Sequence, residues 1–191
     1  MSKNKWGYAV QPNTFCAIDA STNSLAFALF STKEGTLGSV GKINFEGNDI
    51  YEKIYDAKVK MSVMLDELQA DYIEVEGAVL VRSADAVIKL SYVYGVVIAE
   101  LMSTGAKVIT ISPTSWQAYI GNKNPTKEEK AGIRLANPGY ADSWYKNQLR
   151  NMRKQRTADY FNKKYNLSVT DFDVADSFGI AHYANKELTK R

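Results

Sequence analysis

The order of the apolar runs restricts this chain more than any other feature. Thr14–Ala20 (TFCAIDA) is short, apolar and ends beside an acid. A turn-like Ser21-Thr22-Asn23-Ser24 leads into a second run, Leu25–Phe30 (LAFALF), and Thr36–Phe45 alternates well enough for a third strand. Three strands joined this closely predict an antiparallel meander. Thereafter helical and strand patterns take turns. Ile50, Ile54, Ala57, Met61, Met64, Leu65 and Leu68 recur at three- and four-residue steps, with Asn48 or Asp49 placed to cap the helix. Tyr72–Val75 reads as a strand, Ala84–Met102 as a long helix stopped near Gly105, and Lys107–Ile111 as another strand. Ser112-Pro113 opens a short helix through Tyr119. The pattern breaks up between Gly121 and Lys146, then helical periodicity returns over Gln148–Tyr165 and over about Val174–Leu188. The expectation is one mixed α/β domain over residues 1–191, with a basic insertion at about 121–146.

Composition narrows the class. With 191 residues, 45% of them hydrophobic, the chain can bury a sizeable core and is not a disordered polymer. One cysteine, Cys16, excludes a disulfide-stapled module and reads as a small buried hydrophobe. The longest near-apolar stretch, Tyr92–Met102, is too short to span a bilayer, and Met1–Tyr8 lacks the apolar segment of a signal peptide. These features predict a cytoplasmic protein without membrane attachment.

The formal net charge of +3 conceals two opposed regions. Between Lys123 and Lys164 there are eleven Lys or Arg and four Asp or Glu, a local net of +7, which leaves −4 for the remainder. Lys146, Arg150, Arg153, Lys154 and Arg156 are interleaved there with Tyr140, Trp144, Tyr145 and Tyr160. Such a segment can neutralise phosphates and stack on bases, or simply be a solvated helix face.

Four acids supply the chemistry that a polyanion would need. Asp19 ends the first strand, Glu76 ends the fourth, and Asp173 with Asp176 opens the last helix, three residues apart and therefore on one face. Clustered carboxylates repel one another unless cations intervene, and all-oxygen sites suit Mg²⁺ or Mn²⁺. Singly, each acid has an ordinary reading: Asp173 as a helix cap, Glu76 as a solvated strand end.

Together, Ile18-Asp19-Ala20-Ser21, Tyr72-Ile73-Glu74-Val75-Glu76 and Asp173-Val174-Ala175-Asp176-Ser177 resemble the RuvC family of Holliday-junction resolvases, in the RNase H-like (retroviral integrase) superfamily. Ser83-Ala84-Asp85-Ala86-Val87-Ile88-Lys89-Leu90 and Gly95-Val96 resemble that family's segment after its second acid, a register that selects Glu76 and leaves Glu74 as the fallback. The resemblance implies an RNase H-like fold, a mixed sheet of three antiparallel then parallel strands flanked by helices. It also implies a homodimer formed partly through the helix carrying Lys89 and Gly95, acting on four-way DNA junctions. Asp19 would bridge two metal ions per site, with Glu76, Asp173 and Asp176 completing the ligands. Lys154 would contact phosphate near the scissile bond, followed by Arg153 and Arg156, with Arg150, Lys146 and Trp144 as further DNA contacts. Ala20-Ser21 stands where cellular members usually have Pro-Gly, Ala26 where they favour glycine, and residues 121–146 form a longer segment, all pointing to a phage-type member.

Other residues carry two readings each. His182 is six residues beyond Asp176 and reads as structural; Trp116 is core or a junction-facing stacker; Ser21 orients a phosphate or forms the turn. Rival functions are a broader fork or flap nuclease and a non-cleaving junction binder. A sugar-kinase-like ATPase, suggested by Asp19-Ala20-Ser21-Thr22, needs a second glycine-rich phosphate loop that the sequence lacks.

Overall fold

The computed structural model describes residues 14–31, 36–67, 70–77 and 83–189, so the readings of Met1–Tyr8 and of Leu68 lie outside the described residues. The chain runs β1 (Thr14–Ala20), β2 (Ser24–Ser31), β3 (Thr36–Asn44), α1 (Ile50–Glu67), β4 (Tyr72–Glu76), α2 (Ala84–Ser103), β5 (Lys107–Ile111), α3 (Pro113–Tyr119), α4 (Lys127–Ala136), α5 (Asp142–Tyr165) and α6 (Phe172–Thr189). The sheet order is β3-β2-β1-β4-β5. The meander pairs antiparallel, and β4 and β5 add to β1 in parallel. Parallel neighbours need a helical crossover, which α1 and α2 provide.

Period-two alternation divides the core between the two faces of the sheet. Phe15 and Ala17 of β1 join Phe161, Phe178 and Trp116 under α3, α5 and α6. Cys16 and Ile18 point the other way, joining Met61, Val93, Val97 and Leu101 under α1 and α2. Trp116, Phe15, Phe161 and Phe178 are among the largest fully buried side chains, each worth roughly 1.5–3 kcal/mol of transfer free energy.

Local signals explain the helix ends. Asp49, not Asn48, caps α1, its Oδ1 accepting the Tyr51 and Glu52 N–H groups at 2.8 and 2.9 Å. Ser83 caps α2, and Asn166, in the left-handed region at φ 53°, ends α5. The insertion holds a complete helix, α4, opened by a Thr126–Glu129 capping box. Helix α5 begins at Asp142, six residues before the periodic pattern, because Tyr145 and Trp144 pack against the α4–α5 turn rather than the main core.

Helix α2 is longer than its apolar run. Its 20 residues are long and apolar enough by length and composition to cross a membrane, with a mean hydropathy of 1.5 over the most apolar 18-residue stretch. Only Val93, Val97 and Leu101 of this helix are buried. Ile88, Tyr92 and Met102 remain exposed, as do Tyr51, Tyr55, Val59 and Val63 at four-residue steps along neighbouring α1.

Candidate active site

The registers place one row of side chains across the sheet. Lys42 of β3 pairs with Ala26 of β2, and Ala26 pairs with Asp19 of β1. Beyond Ile18↔Val75 the next positions on β1 and β4 are Asp19 and Glu76, and Glu76 pairs with Ile111 of β5. Asp19 shares the face of Phe15 and Ala17, and Glu76 that of Tyr72, so both acids point toward α6. The first turn of α6 lies over this row and brings Asp173 and Asp176 to it. Asp171, not Asp173, caps α6, its Oδ1 accepting the Asp173 N–H at 2.8 Å and that of Val174 at 3.2 Å. Asp173 is thereby free to face the site.

Two lysines meet these acids. Lys154 Nζ of α5 donates to Asp173 Oδ1 at 2.8 Å and lies 3.9 Å from Asp176 Oδ2. From the opposite side, Lys42 Nζ donates to Asp173 Oδ2 at 2.7 Å and to Asp171 Oδ2 at 3.0 Å. Lys42 was not foreseen; the available signal was a lysine on a strand face that elsewhere turns inward. Glu76 Oε1 accepts the Trp116 Nε1–H at 2.8 Å, and its backbone carbonyl accepts the Tyr94 hydroxyl at 3.1 Å.

The electrostatics separate one acid from the other three. Burial, reinforced by the negative charges of Glu76 and Asp173, pushes the Asp19 carboxyl up to about 7. Burial likewise raises Glu76 to about 7, partly opposed by the Trp116 N–H, and raises Asp176 to about 7 with help from the Asp19 charge. At Asp173 burial works in the same direction, but Lys154 and Lys42 outweigh it and hold the group below the usual carboxylate range. Neutral pH thus finds three acids competing for protons beside one clamped anion.

That donor set fits hard divalent cations. All four groups are carboxylates, and burial together with mutual repulsion raises the proton affinity of Asp19, Glu76 and Asp176, a cost that a cation would relieve. Among the described residues, no three Asp, Glu, His or Cys side chains are already gathered around one point.

The acids open onto a cavity of about 900 Å³. Lys146, Arg150, Arg153 and Lys154 line it, spaced three and four residues apart along one face of α5. The other two residues expected to contact DNA go elsewhere. Arg156 ion-pairs with Glu129 and anchors α4. Trp144 stacks on Tyr140, ring centroids 4.3 Å apart, and lies outside the cavity lining. Arg153 also donates to Gln117.

The residues with two readings divide as follows. Glu74, on the same strand face as Glu76, is 0% exposed, with neither carboxyl oxygen hydrogen-bonded and a proton affinity pushed well up by burial. Trp116 is core. Ser21 forms the turn, its hydroxyl accepting the Asn23 and Ser24 N–H groups. His182 bonds the Tyr165 hydroxyl at 3.1 Å within an aromatic cluster, and burial lowers its pKa to about 4.

No known protein-family profile matches the sequence, and no curated protein matches it. Solved structures do. Thermus thermophilus RuvC in complex with Holliday junction substrate superposes with a TM-score of 0.62 at 12% identity, covering 91% of this chain and 95% of that one. A second Thermus thermophilus RuvC structure gives 0.60 at 14% identity, with the same coverage. The yeast mitochondrial Holliday junction resolvase Ydc2 gives 0.56 at 12% identity, covering 94% of this chain and 81% of that one. The fold is therefore RuvC-like, within the RNase H-like class.

Proposed function

We propose that this chain is a metal-dependent, structure-specific endodeoxyribonuclease that resolves four-way DNA junctions by paired, symmetric nicks. The observation that carries this is the meeting of Asp19, Glu76, Asp173 and Asp176 at one end of a cavity whose wall is the basic face of α5. A site that only gripped phosphates would gain nothing from concentrating negative charge there.

Asp19, Glu76, Asp173 and Asp176 would hold two Mg²⁺ or Mn²⁺ ions, which supply an acidified water and charge stabilisation at the leaving oxygen of a phosphodiester. The chain's own residues do the rest. Lys146, Arg150 and Lys154 lie at successive turns of α5, about 6 Å of rise apart, and would hold consecutive stretches of phosphate backbone against the acids. Lys154, released from Asp173, stands nearest the scissile phosphate. Arg153 is steadied by Gln117 at the cavity edge.

Paired nicks need two such sites. The apolar residues left exposed on α1 and α2 support a homodimer in which this face meets its symmetry mate. The phage-type reading rests on Ala20-Ser21, Ala26 and the long insertion, part of which folds as α4.

The test is incubation of the protein and Mg²⁺ with a four-way junction, a Y-fork and a linear duplex. Paired nicks in the junction are expected, and Asp19→Asn should abolish them while leaving binding intact. Equal cutting of linear duplex would refute a resolvase, preferential fork cutting would favour a broader branch nuclease, and tight junction binding without any cutting would favour a pure binder.

A further inference from the structure

We propose that Trp116 is the positioning residue that fixes Glu76 against the acids of α6, setting the geometry in which these carboxylates take a divalent cation. This rests on the nuclease reading above.

Trp116 is 0% exposed and heads the largest fully buried side chains. An indole has one polar atom, a donor, and this one is spent on Glu76 Oε1 at 2.8 Å. The position follows from the sheet. Glu76 pairs with Ile111 at the end of β5, and the Gly77 N–H to Ile111 carbonyl bond, at 2.8 Å, holds the two strand ends together. Helix α3 starts two residues later at Pro113, so its first turn delivers Trp116 beside the Glu76 carboxyl.

The same ring also sets α6. Gly179 lies three residues after Asp176, on the same side of that helix. A Cβ built at Gly179 would overlap Cε3 and Cζ3 of Trp116, so only glycine lets α6 approach the ring this closely. One rigid side chain therefore touches β4's acid through its edge and α6 through its ring. Asp173 and Asp176 are carried by α6, and their distance from Glu76 is set across Trp116. A purely space-filling residue would not need its one donor directed at a carboxylate lining the cavity. Partners that orient ligating carboxylates typically account for a 10–100-fold factor in metal affinity.

The experiment follows Mg²⁺ binding without requiring cleavage. In ¹⁵N-labelled protein the Trp116 indole N–H signal is assigned as the one that persists in both Trp6→Phe and Trp144→Phe. Titration with Mg²⁺ should move that signal with the midpoint found by calorimetry, while the Trp144 indole stays put. Trp116→Phe should raise the half-saturating Mg²⁺ concentration about tenfold, with junction affinity in EDTA within twofold of wild type. Gly179→Ala, which pushes the ring aside but keeps the donor, should raise it as well. If Trp116→Phe does not fold, the wild-type indole titration decides the matter. An indole signal unmoved by saturating Mg²⁺, or a folded Trp116→Phe protein with the wild-type midpoint, overturns this inference alone. Wild-type protein that binds no Mg²⁺ overturns it together with the nuclease reading.

Discussion

Replacing Asp19 by Asn should make the metal-free protein more stable while ending its activity. The Asp19 carboxyl rises from 3.8 to about 7 on folding, chiefly through burial and the charges of Glu76 and Asp173. Between pH 4 and 7 the folded protein keeps a proton that the unfolded chain releases. Stability therefore falls as pH rises through that window and stays low above it. Counted in full, a rise of that size corresponds to roughly 4 kcal/mol. Part of it is repulsion that Glu76 or Asp176 can relieve by holding the proton instead, so Asp19 alone accounts for on the order of 2 kcal/mol at pH 8. For a chain of this size that is about 4–8 °C in Tm. Thermal melts in EDTA at pH 8 and pH 4 measure it. Asp19→Asn should melt above wild type at pH 8, and the gap should close at pH 4, where Asp19 is protonated in the folded protein and half so in the unfolded chain. Adding Mg²⁺ at pH 8 should raise the wild-type melting temperature and leave the variant's nearly unchanged. An Asn variant that melts at or below wild type at pH 8 would refute the claim that these acids repel one another in the folded site.

Three further outcomes are expected. Replacing Lys146, Arg150 and Lys154 together by Gln should flatten the log–log salt dependence of junction binding by about 2–3, whereas Arg156→Ala should loosen α4, seen as faster proteolysis near Lys127–Ala136, and leave the salt slope nearly intact. Lys42→Ala should lower cleavage roughly tenfold, in line with about 1.5–3 kcal/mol for a charged hydrogen bond, with junction affinity unchanged and Lys42→Arg restoring most of the rate. Tyr55→Asp with Val63→Asp should convert a dimer to a monomer in sedimentation equilibrium without lowering Tm, because both side chains are exposed in the single chain, at 71% and 60%.

Much of the fold was readable because its signals are local. Period-two runs marked the strands, three- and four-residue steps marked the helices, and Asp49 and Pro113 marked where two helices begin, whereas the Ser83 cap of α2 went unread. The start of α5 was misplaced because Trp144 and Tyr145 satisfy the α4–α5 turn, a contact that helical periodicity does not encode. The roles within the basic set were equally hidden. Arg150, Arg153, Lys154 and Arg156 look alike in sequence, yet a turn of about 100° per residue sends Arg156 to Glu129 and leaves the others on the cavity.

By itself, the sequence determined the order of elements, the two apolar faces of the sheet and the placing of acids at strand ends and a helix start, since each depends on neighbours a few residues away. Tertiary structure decided depth and partnership. Glu74 and Glu76 share a strand face, but packing buries Glu74 completely and leaves Glu76 on the cavity. Asp173 gains its second lysine from a strand 131 residues earlier, because the sheet register aligns Lys42, Ala26 and Asp19 beneath the start of α6. Trp116 reaches Glu76 because β5 returns beside β4 and Gly179 lets α6 close over the ring. Alternation fixes which face a side chain takes; only packing fixes what lies above it.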